Sequence, residues 1–223
     1  MTAWLMAAFI VAAYLLGSVP FGLIIARLHG MDLRSIGSGN IGATNVSRAL
    51  GRKWAYVCFG LDVLKGLIPT AVTLVVAAPL SAEHSLGPVV MLWLWLAVGC
   101  AAVIGHIFPL YVRFKGGKGV ATSFGVALGL WPYFTVAAIL ALLVWLGAVL
   151  IWRYVSLASI LASVAFPLAL SGAIALLEQW TIARLWPLAA VAIAIPLMVI
   201  VRHRENIRRL MAGTEGRIGQ TKK

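Results

Sequence analysis

Phe114-Lys115-Gly116-Gly117-Lys118-Gly119 stands between two apolar runs, Val89–Phe108 and Val120–Leu130, and its reading decides both the fold and the place of the chemistry. Three glycines let the backbone turn tightly and converge its N–H groups on one point. Two lysines add positive charge, and the helix expected to start near Val120 adds the positive end of its dipole. Such a loop at the edge of a hydrocarbon layer is a cradle for a phosphate on a molecule handled at the lipid–water boundary. It is not a nucleotide P-loop: in the G-x-x-x-x-G-K-[ST] register Val112 replaces the first glycine and Gly119 follows Lys118. The competing reading is a flexible turn whose lysines only set topology, although lysine alone would serve that end without the glycines.

The 223 residues are 62% hydrophobic and 11% charged, with a mean hydropathy of +1.01. A soluble domain of this size cannot hide that much apolar surface, so the fold class is an all-α polytopic membrane protein. At ~20 residues per span, the runs Ala3–Ala26, Trp54–Leu80, Val89–Phe108, Val120–Leu130, Tyr133–Ile151, Ser156–Leu177 and Ile182–Val201 predict seven transmembrane helices. The fourth is short, and Trp131-Pro132 after it reads as a turn; the alternative is that the fourth and fifth form one broken unit, with a count of six or five. Little chain is left for a soluble domain, so residues 1–223 read as one transmembrane domain. The first run lacks a basic flank and reads as a retained span, not a cleaved signal peptide.

Charge sets the orientation. Of 18 Lys and Arg, all but Lys65 and Arg184 fall in Arg27–Lys53, Arg113–Lys118, Arg153 and Arg202–Lys223. The positive-inside rule makes these segments cytoplasmic, with the N-terminus outside, the C-terminus inside, and Glu83, His84 and Glu178 outside. The net charge of +12 is then a cytoplasmic feature suited to anionic lipid heads and anionic substrates. Membrane lipids are the expected partners; nucleic acid is not. Trp93, Trp95, Trp131, Trp152 and Trp180 lie near span ends and predict an aromatic belt.

Gly30–Gly51 is too polar to span and predicts an interfacial helix near 40–50, with Ile41, Asn45 and Arg48 on one face and Gly51 as its stop. In Gly37-Ser38-Gly39-Asn40-Ile41-Gly42-Ala43-Thr44-Asn45, Ser38 or Asn40 can cap that helix, and Arg48 offers a fork for phosphate oxygens. At the other end His203, Asn206 and Leu210 share a helical face, and Glu205 can pair with Arg208 or Arg209. Cations around His203 disfavour a protonated imidazole, which makes a neutral ring donating to phosphate the favoured role and a general base the alternative. Ser156 and Ser159 follow Arg153; their hydroxyls can meet a substrate oxygen or bond helix to helix. Asp62 and Lys65, at i and i+3 inside a span, predict a buried pair of structural kind. Cys58 and Cys100 read as small hydrophobes, and no His, Cys or carboxylate spacing predicts a metal.

Taken together, Gly17-Ser18-Val19-Pro20-Phe21-Gly22, Gly37 through Val46, Gly105-His106 through Phe108-Pro109, Phe114 through Thr122, and His203-Arg204-Glu205-Asn206-Ile207 resemble the bacterial acyl-phosphate:glycerol-3-phosphate acyltransferase (PlsY) family, in order and from the first span to the last. The resemblance implies a multi-pass enzyme of the bacterial inner membrane, its active site facing the cytoplasm. It would make 1-acyl-glycerol-3-phosphate (lysophosphatidic acid) for phospholipid synthesis from acyl phosphate and glycerol 3-phosphate, without a cofactor. It implies catalytic roles for Ser38, Arg48, Lys118, His203 and Asn206. Gly39, Asn40, Gly116, Gly117, Gly119, Ser156 and Ser159 would bind substrate, and Glu205 would be structural. The chain departs from the family's paired serines near the sixth span, because Ala158 stands beside Ser159, and the resemblance carries their place over to Ser156 and Ser159.

No histidine here has Asp five residues on, so the dyad of soluble-type glycerolipid acyltransferases is missing. That fits a donor already activated as a mixed anhydride, which needs chiefly placement and charge screening. The expected reaction is a single displacement, with His203 or a substrate phosphate oxygen as base. The rival class is a transporter of organic phosphates. It would show internal repeats and mid-membrane binding groups, whereas these motifs gather at one surface.

Overall fold

The structure, a computed structural model, describes residues 2–83 and 88–220, and its regular elements are all helices, with no strand among the described residues. His84 and the last three residues lie outside the described residues, as do the side chains of 77–83. The helices are α1 (Thr2–Ser18), α2 (Phe21–Leu28), α3 (Ala43–Leu50), α4 (Arg52–Glu83), α5 (Pro88–Ile107), α6 (Val120–Gly129), α7 (Thr135–Trp152), α8 (Val155–Leu176), α9 (Ile182–Arg202) and α10 (Arg204–Met211). Among the described residues six stretches are long and apolar enough to cross a bilayer: Trp4–Leu28, Arg52–Val76, Val89–Val112, Thr135–Trp152, Val155–Leu176 and Ile182–Arg202. The fourth expected span, α6, has 10 residues. At 1.5 Å per residue it rises ~15 Å, half of the ~30 Å hydrocarbon layer.

The chain forms two compact units, Met1–Trp131 and Pro132–Lys223. In the first, helices meet backbone to backbone at small residues, the way membrane helices associate when lipid gives no hydrophobic drive. A Cβ on Gly17 would collide with Ala102, and one on Gly105 with the Tyr14 carbonyl, which seats α1 on α5. Gly66 meets the Thr122 carbonyl and Gly125 the Val63 carbonyl in the same way, so short α6 lies against α4. Pro20 breaks the first span between α1 and α2. The polar segment is held down by Leu23, Ile25, Ala26, Leu33, Ile41, Val46 and Cys58, a buried cluster that anchors α2 and α3 to α4.

In the second unit α7 packs on α8, and α8 on α9 and α10. Phe134 and Phe166 meet edge to face at 5.1 Å, fixing the turn before α7 to the middle of α8. Arg153 takes φ 63°, and its N–H closes α7 on the Val149 carbonyl at 2.9 Å.

Three expectations change. The interfacial helix starts at Ala43, not Asn40, and its N-cap is Gly42, with no side-chain cap. Asn40 Oδ1 instead accepts the Gly42 N–H at 2.9 Å, a tight Asx turn that delays the helix by three residues. Ile41 therefore precedes the helix; it and Asn45 are buried, while Arg48 is exposed. Trp95 is no belt residue: it is 8% exposed, and its Nε1–H donates to the Thr70 carbonyl at 2.8 Å inside the first unit. The last helix does not run through His203, which sits at a break between α9 and α10.

Candidate functional site

In the first unit the segment before α3 is folded around Asn45. Asn45 Nδ2 donates to the Leu33 and Ile36 carbonyls, both at 3.0 Å, and its Oδ1 accepts the Ser38 N–H at 3.1 Å. One buried amide thus satisfies three backbone groups in a loop that has no ladder of its own. Gly37 and Gly39 take φ 58° and 65°, the left-handed region that the tight turn requires. Arg48 lies across Gly37, where a Cβ would stand 3.1 Å from its Cδ. Arg48 therefore lies against the residue that precedes Ser38, and both Ser38 and Arg48 are exposed.

The lysine–glycine loop is built from α5 rather than from its own side chains. Gly117 N–H donates to the His106 carbonyl at 3.1 Å. A Cβ on Gly117 would collide with the His106 ring, and one on Gly116 with the His106 carbonyl and Pro109. These glycines are thus needed first for packing against α5, ahead of any approach to a ligand. Gly119 caps α6 at φ 88°, and Lys118 stands half-buried just before that helix N-terminus. Arg113 and Phe114 are non-glycine residues at φ 55° and 60°, a strained pair at the loop's entry. Arg34 Nη2 donates to the Lys115 carbonyl at 3.0 Å and ties the two motifs together. Beside this bond Arg27, Arg34, Arg113 and Lys115 line a groove of about 270 Å³ with Leu23 and Tyr111.

In the second unit the centre is a residue the sequence did not single out. Glu215 Oε1 accepts from Ser156 Oγ at 2.8 Å and from Asn206 Nδ2 at 2.7 Å, and Oε2 accepts from Arg209 Nε at 2.7 Å. Burial pushes the Glu215 carboxyl up, but donors from Asn206, Arg209 and Ser156, with the Arg209 charge, hold it below the ordinary glutamate value. Glu205, expected to be structural, is exposed and pairs with Arg208 at 3.3 Å and Arg204 at 3.6 Å. The expected pairing of Glu205 with Arg208 is present, and Glu215 is a second structural glutamate, buried among donors.

His203 is buried, with Nδ1 2.8 Å from the Val199 carbonyl. A carbonyl only accepts, so Nδ1 carries the proton, and Nε2 of a neutral ring is an acceptor. Ser159 donates to the Val155 carbonyl at 2.8 Å and accepts from Trp145 Nε1 at 3.2 Å, which commits it to α7–α8 packing. Among the described residues no three His, Cys, Asp or Glu gather where they could hold a metal.

Besides Glu215, the sequence reading passed over Asn45 as more than a face residue and His106 as more than a motif letter. The signal for His106 was its place in Gly105-His106…Phe108-Pro109, directly before the loop.

The chain matches the family model described as glycerol-3-phosphate acyltransferase over residues 7–213. A glycerol-3-phosphate acyltransferase of Aquifex aeolicus is 45% identical over 208 residues, 93% of this chain and 96% of the relative. One of Brucella anthropi is 43% identical over 213 residues, 94% of this chain and 92% of the relative. The crystal structure of PlsY (YgiH), an integral membrane glycerol 3-phosphate acyltransferase, in its glycerol 3-phosphate form is similar at a TM-score of 0.80 and 43% identity, covering 96% of each chain. Its lysophosphatidic acid form gives 0.78 and 42%, covering 96% of this chain and 95% of that one.

Proposed function

The chain belongs to the glycerol-3-phosphate acyltransferase family, and on that premise we propose that it moves a fatty acyl group from an acyl phosphate to the 1-hydroxyl of glycerol 3-phosphate. The products are lysophosphatidic acid and inorganic phosphate. The observation that carries the donor is the second anion cradle. Ser38 and Arg48 form one polar corner, and the Gly116–Gly119 loop with Lys118 at the α6 N-terminus forms another. Two such places suit two phosphate-bearing substrates, and a phosphate held by the loop is bonded directly to the reacting acyl group only in an acyl phosphate, whereas a thioester donor carries its phosphates many bonds from the acyl carbon.

The reaction is a single displacement. The glycerol 1-oxygen attacks the acyl carbonyl carbon, the bond from that carbon to the bridging oxygen breaks, and the bridging oxygen leaves on phosphate. Arg48 and Lys118 hold phosphate oxygens by charge-assisted bonds, and the N–H groups at the start of α6 balance the charge growing on the leaving group. The hydroxyl proton goes to His203 Nε2, the acceptor left by the Nδ1–H to Val199 bond. Ser38, Asn40 and Gly39 line the first corner, while Asn206 and Ser156 act from the Glu215 cluster.

The whole chain works as one domain in a bacterial inner membrane, with α6 counted as a seventh, half-depth segment. The N-terminus is outside and the basic segments face the cytoplasm. Assay of the purified protein with glycerol 3-phosphate and either palmitoyl phosphate or palmitoyl-CoA tests the donor. Product from the phosphate alone supports it; product from the thioester alone refutes it.

A further inference from the structure

The first unit holds a buried charged cluster that the proposed chemistry does not use. Asp62, Lys65 and His106 are 3%, 2% and 4% exposed. Asp62 Oδ1 lies 2.8 Å from Lys65 Nζ and 3.6 Å from His106 Nδ1, and Asp62 Oδ2 faces Cys58 Sγ at 3.8 Å. Lys65 Nζ also donates to the Val19 carbonyl at 3.0 Å, at the break between α1 and α2. Ionisable groups inside a membrane helix are costly and mark function more often than packing. A Lys–Asp pair alone would be explained by tying α4 to the helix break. His106 is what that explanation leaves over, and it leads to the loop: its carbonyl takes the Gly117 N–H, and its ring stands where a Gly117 side chain would be.

We propose that Asp62, Lys65 and His106 position the lysine–glycine loop. Asp62, fixed by Lys65, orients the His106 ring. The ring and carbonyl of His106 form the floor on which Gly116 and Gly117 rest, and this floor sets where the loop amides and Lys118 stand. The step from loop position to substrate rests on the reading that the loop binds a phosphate. These are positioning residues: none touches the reacting atoms. A carboxylate in α4 and a histidine at the end of α5 thereby fix the loop between α5 and α6.

The test uses the full-length protein in detergent. Hydrogen exchange of the 115–119 amides, thermal melting, and kcat and KM for both substrates are read for Asp62→Asn, His106→Ala, Gly117→Ala and the His106→Ala/Gly117→Ala double variant. If Asp62→Asn fails to fold because Lys65 is left alone, Asp62→Asn/Lys65→Met removes both charges. The expected result is loop exchange about tenfold faster in the Asp62 and His106 variants, and KM for one substrate up about tenfold. The double variant is expected to be at least about tenfold more active than Gly117→Ala, because the small side chain makes room for the new methyl. Unchanged loop exchange with only a lowered melting temperature overturns the proposal, as does a double variant whose losses multiply. Faster exchange and rescue with both KM values unmoved upholds the positioning and refutes the phosphate reading of the loop.

Discussion

Asn206 Nδ2 donates to Glu215 Oε1 at 2.7 Å, so a residue placed in the catalytic set is held by the segment that follows α10. With Ser156 on the same oxygen and Arg209 on the other, Glu215 fastens α8, α10 and the following segment through one carboxylate.

Glu215 makes stability depend on acid. Its folded value lies below the ordinary 4.5, so the stability it adds is complete above that value and is lost as pH falls through the lowered one. Glu215→Gln is expected to lose about 2 kcal/mol at neutral pH and to flatten the acid limb of a melting-temperature profile. A variant that keeps the wild-type acid limb would show that other carboxyls carry it.

His203→Asn keeps a donor for the Val199 carbonyl but cannot take a proton. It is expected to fall as far as His203→Ala, about 10²–10⁴-fold in kcat, with melting temperature near wild type. An asparagine variant retaining most activity would assign the proton to a substrate phosphate oxygen instead.

Asn45→Ala strands two carbonyls and one N–H around Ser38. It is expected to destabilise the first unit by at least about 2 kcal/mol and to raise KM as Ser38 and Arg48 lose their frame. Asn45→Asp keeps the acceptor for Ser38 but not the donors, and should recover only part. Melting and kinetics of both variants check this; an unaffected Asn45→Ala would remove Asn45 from the account.

Orientation is tested with single cysteines at exposed positions. Cysteines at Lys53 and Gln220 are expected to resist an impermeant thiol reagent on intact cells and to react after lysis, while one at Arg184 reacts from outside. Labelling at Lys53 in intact cells would invert the topology.

Much of this was readable from the chain because it is local. Apolar runs and basic flanks bound the spans, although the first was read through the break at Pro20, and Asp62 and Lys65 are one turn apart on α4. The start of α6 followed from Gly119, whose φ of 88° suits glycine. What escaped was set by folding at a distance. Asp62 meets His106 across 44 positions of chain, and Asn45 finds its acceptors at Leu33 and Ile36 only once the loop has closed. Glu215 escaped because its burial among Ser156, Asn206 and Arg209 is not revealed by spacing. Trp95 was taken for a belt residue because distance to a span end says nothing about which side of α5 faces protein.

The central claim is direct acyl transfer from phosphate to glycerol oxygen. Its most direct test is turnover by the purified protein of palmitoyl phosphate with glycerol 3-phosphate carrying ¹⁸O in the 1-hydroxyl. The account predicts one phosphate released per lysophosphatidic acid formed, with all the label in the ester and none in the phosphate. Formation of no ester from the acyl phosphate, or label recovered in the phosphate, would contradict it.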